Sequence, residues 1–210
     1  MTHLHFDHFD EVAAKVLPKA LTLFSQSEEE AQILRGMGFD DVRVLSGEGI
    51  AFDGVRLYRT KCDHGSSDLV TVDGYKDRGL TEKASGVVFE SAAETERFYL
   101  AGDTIYCQLV VDAVEKFKPG IIAVNAAGAQ YPLGHLIIMN QYDVRSLMRR
   151  FPTLKVIATH VEGVLHATVN RPMLREFAKA NQLDPLFVPN DAKQPALESA
   201  GFPDTVQAFP

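Results

Sequence analysis

The sequence predicts an α/β fold in one domain, and three observations carry that prediction. The first 45 residues read strand, helix, strand, the order of an α/β unit whose parallel strands share one sheet. Two hairpin patterns follow in the middle of the chain. Beyond residue 100, short apolar runs alternate with helical patterns, and each run empties into a polar loop. With 210 residues, 46% of them hydrophobic, the chain can bury a core of its own.

Residues 9–17 form the first expected helix, because Asp10 and Glu11 stand in its first turn, apolar residues recur at helical spacing and Pro18 stops it. Residues 20–24 are a short apolar strand. Ser27 caps a second helix that begins with Glu28, Glu29 and Glu30 and ends at Gly36 and Gly38, and residues 42–45 are again a strand. Ile50-Ala51-Phe52 and Val55-Arg56-Leu57-Tyr58 flank Asp53-Gly54, a strong short hairpin signal. That hairpin ends at Lys61-Cys62-Asp63-His64-Gly65. Residues 65–84 are polar, without periodicity, and are expected to lie as a loop over a functional site.

A second hairpin, residues 85–90 and 97–101, delivers Gly102-Asp103-Thr104 at a strand end, and a helix over 107–118 comes next. Residues 121–125 are a buried strand that runs into a loop over 126–140 holding Gly128, Pro132, Gly134 and His135; His135 is expected to face solvent. A helix covers 141–150. The strand at 156–159 ends at His160, and a polar turn leads past His166 to a helix opened by Asn170, Arg171 and Pro172. Residues 186–188 make a last short strand. No internal repeat or low-complexity segment interrupts this order.

Composition narrows the function classes. No run reaches the roughly 18 consecutive apolar residues of a membrane span, and the first residues lack the charged start and apolar middle of a signal peptide, so the expected location is the cytoplasm, away from membranes. Cys62 and Cys107 are the only two cysteines and form no Cys-x-x-Cys pair; both are expected to be reduced packing residues. The net charge of −7 is spread along the chain without a basic stripe, which argues against a nucleic-acid partner and for a small-molecule substrate.

The chemistry concentrates in the first eight residues. His3, His5, Asp7 and His8 form an H-x-H-x-D-H cassette; in an extended backbone side chains two apart point the same way, so His3 and His5 can reach one metal ion while Asp7 and His8, past a bend, serve a second. His64, Asp103 and His160 fall at or just beyond apolar strands, where α/β proteins gather their ligands. Taken singly, a lone histidine after a hairpin is more often a surface residue, and Gly-Asp-Thr is a common turn. It is the cassette that gives these positions metal-binding meaning. His160 competes with His166 for the last ligand position and is preferred because it follows its strand directly.

This ordered set resembles the metallo-β-lactamase superfamily, whose pattern is H-x-H-x-D-H, a lone His, an Asp after a strand and a final His after a strand. Ala101-Gly102-Asp103-Thr104-Ile105 and Ala158-Thr159-His160-Val161-Glu162 look most like its small bacterial hydrolases, the branch that includes ascorbate-phosphate lactonase relatives. The resemblance implies a four-layer αββα sandwich. It also implies that His3, His5 and His64 hold one divalent metal ion, that Asp7, His8 and His160 hold another, and that Asp103 bridges them. Zn leads the metals such a donor set suits, with Mn and Fe also compatible. Two such ions lower the pKa of a shared water so that it attacks an ester, lactone or phosphodiester bond. Asp7 and His166 are the candidate catalytic groups, His166 as a substrate or leaving-group contact. The rival readings are a tRNA-processing type of phosphodiesterase and a non-catalytic metal-binding protein.

Family members carry several strands ahead of the cassette, which here begins at residue 3. The expectation is therefore an N-terminally shortened form in which His3 and His5 hang from a free end that frays. Uncovered sheet edges would then favour a homo-oligomer, and activity would be impaired.

Overall fold

The computed structural model describes residues 1–65, 84–130 and 135–190. Helix α1 spans Glu11–Val16 and begins two residues later than expected, because Asp10 stays extended as its N-cap and accepts a 2.7 Å hydrogen bond from the Ala13 amide. Pro18 does more than end this helix. Its carbonyl accepts from the Leu21 amide at 3.0 Å, so the chain turns at residues 19 and 20 and strand β1 is confined to Leu23–Ser25. Helix α2, Glu28–Gly36, is capped by Ser27 as its sequence implies, and β2 spans Val42–Val44.

Strands β3 (Ile50–Phe52) and β4 (Val55–Lys61) form the first hairpin; Asp53 at φ 47° and Gly54 at φ 78° both take the positive φ of a type I′ turn. Next come β5 (Ser85–Ser91), β6 (Phe98–Leu100), helix α3 (Gln108–Phe117), β7 (Ile121–Asn125), α4 (Gln141–Arg150), β8 (Lys155–Thr159), α5 (Arg171–Asn181) and β9 (Leu186–Phe187). Nearly all of the loop expected over residues 65–84, and the part of the 126–140 loop that holds Pro132 and Gly134, lie outside the described residues.

As the strand, helix, strand order implies, β1 and β2 are parallel and share one sheet; among the described residues that sheet has two strands, and β3 to β9 form a separate seven-stranded sheet in sequence order. Its pairs are antiparallel from β3 to β6 and parallel from β6 to β9. The cause is the switch between hairpin connections, which reverse the chain, and helical crossovers, which do not.

Four layers result. Helix α2 packs on the small sheet through Ala31 and Leu34, which meet Leu23, Val42, Phe9 and Phe39 in one apolar cluster. Helices α3, α4 and α5 cover the large sheet, with Val110, Val114, Val144, Leu147 and Leu174 against Val88, Tyr99, Ile122, Val124 and Val156. Between the sheets, Phe24 meets Phe52 edge to face at 5.3 Å, and Arg59 donates to the Gln26 carbonyl at 2.9 Å. Among the described residues no helix is long and apolar enough to cross a membrane.

Candidate metal centre

Strand direction explains why the candidate ligands meet. Two reversals separate β4 from β6, so β4, β6, β7 and β8 all run the same way and release their following residues at one edge of the sheet. That edge receives His64 after β4, Asp103 after β6, Asn125 at the end of β7 and His160 after β8. Gly102 makes the turn into Asp103 at φ 70°, and a Cβ there would stand 2.5 Å from the Ser85 carbonyl oxygen. His160 itself adopts φ 57° and Glu162 φ 67°, left-handed conformations that L side chains take at a cost and that bend the chain sharply back at the site.

The cassette meets the strand-end ligands at the same edge. The expectation that His3 and His5 hang free is corrected, since His3 is 1% and His5 7% exposed. Two bonds to the sheets explain this. The Met1 amine donates to the Phe24 carbonyl at 2.6 Å, while the Ser85 amide donates to the Thr2 carbonyl at 3.0 Å, so the extended residues are pinned between β1 and β5. After His5 the chain bends, with the His8 and Phe9 amides both donating to the His5 carbonyl at 2.9 Å, and Asp7 and His8 are thereby set beside the pair.

The side chains gather into two groups. Ligand atoms of His3, His5 and His64 lie within 4.8 Å of one another, and so do those of Asp7, His8, Asp103 and His160. Asp103 stands where the groups meet: its Oδ2 is 3.2 Å from His8 Nε2, 3.6 Å from His64 Nε2 and 3.7 Å from His3 Nε2. His160 Nε2 is 3.3 Å from Asp7 Oδ2. His166 is exposed but lines the same cavity, about 60 Å³, as the candidate ligands His5, Asp7, His64, Asp103 and His160 and the apolar Ala129, Ile137, Ile138 and Val164. His135 is exposed and outside both groups. Cys62 is no ligand in this arrangement; its thiol points to the Ala101 carbonyl at 3.1 Å, and burial pushes its pKa up.

The protonation states suit a cation. Burial, aided by His5 and His8, lowers the His3 pKa to about 2, and burial with His64 lowers that of His5 to about 4, so both rings are neutral at pH 7. Burial alone would raise the Asp103 and Asp7 carboxyls. The hydrogen bond from His8 and the nearby imidazoles outweigh it for Asp103, which is held well below the usual carboxylate range; the bond to His160 and the charge of His8 do the same for Asp7, lowered to about 2. That bond to Asp7 also raises the His160 pKa against the effect of burial.

The lone pairs point the same way. A carbonyl can only accept, so the 2.7 Å contact of His64 Nδ1 with the Ile137 oxygen requires an N–H at Nδ1, and Nε2 is turned toward His5 Nδ1 at 3.3 Å and Asp103 Oδ2 at 3.6 Å. Among the described residues, His3 Nε2 is buried without a hydrogen-bond partner. A bare imidazole nitrogen 3.7 Å from a carboxylate oxygen repels it, and a divalent cation between them turns that repulsion into attraction. The residues present therefore fit a metal ion.

Asn125 is the residue that sequence reasoning missed. It is 7% exposed and its Nδ2 donates to Asp103 Oδ1, while its Oδ1 accepts from Thr159 Oγ1 at 2.8 Å. The available signal was a single polar residue closing an otherwise apolar strand, Ile121-Ile122-Ala123-Val124-Asn125.

No protein-family model matches the chain. UPF0173 protein YddR of Bacillus subtilis (strain 168) is 35% identical over 195 residues, which are 92% of this chain and 73% of that protein. Among solved structures, isothiocyanate hydrolase from Delia radicum gut bacteria superposes with a TM-score of 0.82 at 33% identity, covering 91% of this chain and 73% of that one. A structure described as a possible metal-dependent hydrolase, from Veillonella parvula DSM 2008, superposes with a TM-score of 0.79 at 35% identity, covering 91% and 72%.

Proposed function

Because this chain belongs to the UPF0173 family, within the metallo-β-lactamase superfamily, we propose that it is a metal-dependent hydrolase with a two-ion centre. The observation that carries the reading is the pair of ligand groups that meet at Asp103, with His3 Nε2 buried and bare between them. His3, His5 and His64 would hold one ion through imidazole nitrogens, and Asp7, His8 and His160 the other, with Asp103 standing where the two groups meet. Divalent ions bound there, Zn foremost and Mn or Fe by the same donor set, lower the pKa of water toward neutrality and polarise the electrophile.

The protein's own groups do the rest. The Ile137 carbonyl fixes the His64 tautomer, and Asp7, ionised and paired with His160, orients that ring and keeps negative charge on the centre. His166, which lines the cavity, would contact the substrate or protonate its leaving group. The wall of Ala129, Ile137, Ile138 and Val164 excludes water from the reacting group and favours a small electrophile with an apolar flank. An ester, a lactone, a phosphodiester and an isothiocyanate carbon all meet that description, the last by similarity to the isothiocyanate hydrolase. A net charge of −7 disfavours a polynucleotide, so the substrate is a small molecule.

Protein purified without chelator is expected to contain about two equivalents of metal and to turn over at least one member of a panel of these four bond types, with loss on chelation and recovery on adding Zn or Mn. A chain that neither retains nor takes up metal would overturn the proposal. Self-association belongs to the same proposal, supported by the two-stranded β1–β2 sheet and by Phe6, 69% exposed beside the site. Sedimentation across a dilution series tests it, and a monomer at every concentration would remove it.

A further inference from the structure

Three neighbouring parallel strands end side by side at the metal centre, and the end of each carries a polar side chain that touches the next. Asp103 follows β6, Asn125 ends β7 and Thr159, paired with Asn125 in the β-ladder, ends β8. The contact order is Thr159 Oγ1 to Asn125 Oδ1, then Asn125 Nδ2 to Asp103 Oδ1. The Asn125 amide turns its NH2 group toward Asp103, whose Oδ1 accepts from Nδ2. Asn125 Oδ1 then faces Thr159, whose one hydroxyl hydrogen goes to that oxygen at 2.8 Å ahead of the Val124 carbonyl at 3.1 Å. Each donor and acceptor in the row has its direction set by the one before.

We infer that Asn125 and Thr159 are positioning residues: by occupying Asp103 Oδ1, they leave Oδ2 alone to face the three imidazoles of His3, His8 and His64. The role rests on the metal-ion reading above and adds a specific geometry to it. A carboxylate free to rotate could turn both oxygens toward one ligand group; one held by Asn125 at Oδ1 has only Oδ2 to turn toward the imidazoles of both groups. Thr159 acts one bond further away. Its neighbour His160 is a candidate ligand of the second group, so the same strand end that orients Asn125 also supplies that group. Partners at this distance from a metal commonly change affinity by about 10–100-fold when removed.

The test is zinc titration of the metal-stripped chain against a chromophoric chelator, with the cobalt-substituted absorption spectrum as a second readout. The parent chain is expected to take two zinc equivalents. Asn125→Ala should bind zinc about 10–100-fold more weakly and shift the cobalt spectrum, and Asn125→Asp, which sets two carboxylates against each other, more weakly still. Thr159→Val, which keeps the side-chain volume, should weaken zinc about 3–10-fold, the worth of one hydrogen bond, and Thr159→Ser should restore the parent value.

In the double variant the loss should equal that of Asn125→Ala alone, because Thr159 acts only through Asn125. A merely structural role would lower the melting temperature of the metal-free chain and leave zinc affinity and the cobalt spectrum unchanged, and that result would overturn the assignment. So would additive losses in the double variant. If Asn125→Ala does not fold, the Thr159 pair decides, parent-like zinc binding by Thr159→Val being the overturning result. A parent chain without zinc affinity would instead overturn the two-ion reading itself.

Discussion

The two halves of the candidate ligand set are held in different ways. His64, Asp103 and His160 extend from strands whose neighbours hold them on both sides: Asp103 is 3% exposed, and the β7–β8 ladder pairs five residues from Ile121↔Lys155 to Asn125↔Thr159. His3, His5, Asp7 and His8 belong to no strand; their segment is pinned by backbone bonds from Met1 to Phe24, from Ser85 to Thr2 and from His8 and Phe9 to His5. Strand-end ligands share the cooperativity of the core, whereas cassette ligands depend on a few local bonds. The first half should therefore fail through lost chemistry, and the second through lost order.

Asp103→Ala strikes the point common to both halves. Activity should fall by about 10³-fold or more, which corresponds to the several kcal/mol that a metal centre supplies to a transition state. Metal content should drop with it while the circular dichroism of the fold persists; a metal-replete, active variant would show that Asp103 is not shared.

His160→Ala and His166→Ala divide the strand-end half into ligand and substrate contact. The first should reduce bound metal as well as turnover. The second should leave metal content at the parent level and cost about 10²-fold in turnover, the scale of a lost general acid. Reversed effects on metal content would make His166 the ligand.

Gly102→Ala perturbs the strand-end half without removing a ligand. Its Cβ would stand 2.5 Å from the Ser85 oxygen at φ 70°, and unfolding should become easier by about 1–3 kcal/mol. A melt unchanged from the parent would mean that this turn relaxes freely.

The cassette should respond to acid. In the metal-stripped protein, folded His3 and His5 decline protons that the unfolded chain takes up near pH 6.5, because their pKa values are lowered to about 2 and about 4. The unfolded state thus binds more protons below pH 6.5, and stability should fall from there toward pH 4. His160, raised by Asp7, opposes this as one group against two. Denaturant midpoints between pH 7 and 4 measure the slope, and His5→Gln should flatten it; an equal slope in that variant would remove His5 from the account.

The smallest effect belongs to Ser85→Ala, which takes away the 3.1 Å hydroxyl bond to the Thr2 carbonyl and keeps the amide bond to it. About 0.5–1.5 kcal/mol is expected, read as a few-fold weaker zinc site at His3 and His5. Weakening of both sites alike would erase the distinction between the two halves.

Local chemistry accounts for what the sequence by itself determined. Helix α4 at Gln141–Arg150 and the Asp53-Gly54 turn lie where capping and turn preferences put them, since those preferences act within a few residues. The metal-capable residues His64, Asp103 and His160 were legible for a related reason: each closes or follows an apolar run, and a ligand beside a strand end is a pattern of neighbours in sequence. Tertiary structure decided the rest. Nothing local tells β1 and β2 to form their own sheet, because strand pairing joins residues far apart in the chain. Nor does the sequence show that His3 is buried, an outcome of bonds to Phe24 and Ser85. Asn125 and Thr159 read as ordinary strand residues until the β7–β8 register places them opposite each other and within reach of Asp103, a coincidence of three strand ends that exists only once the sheet has formed.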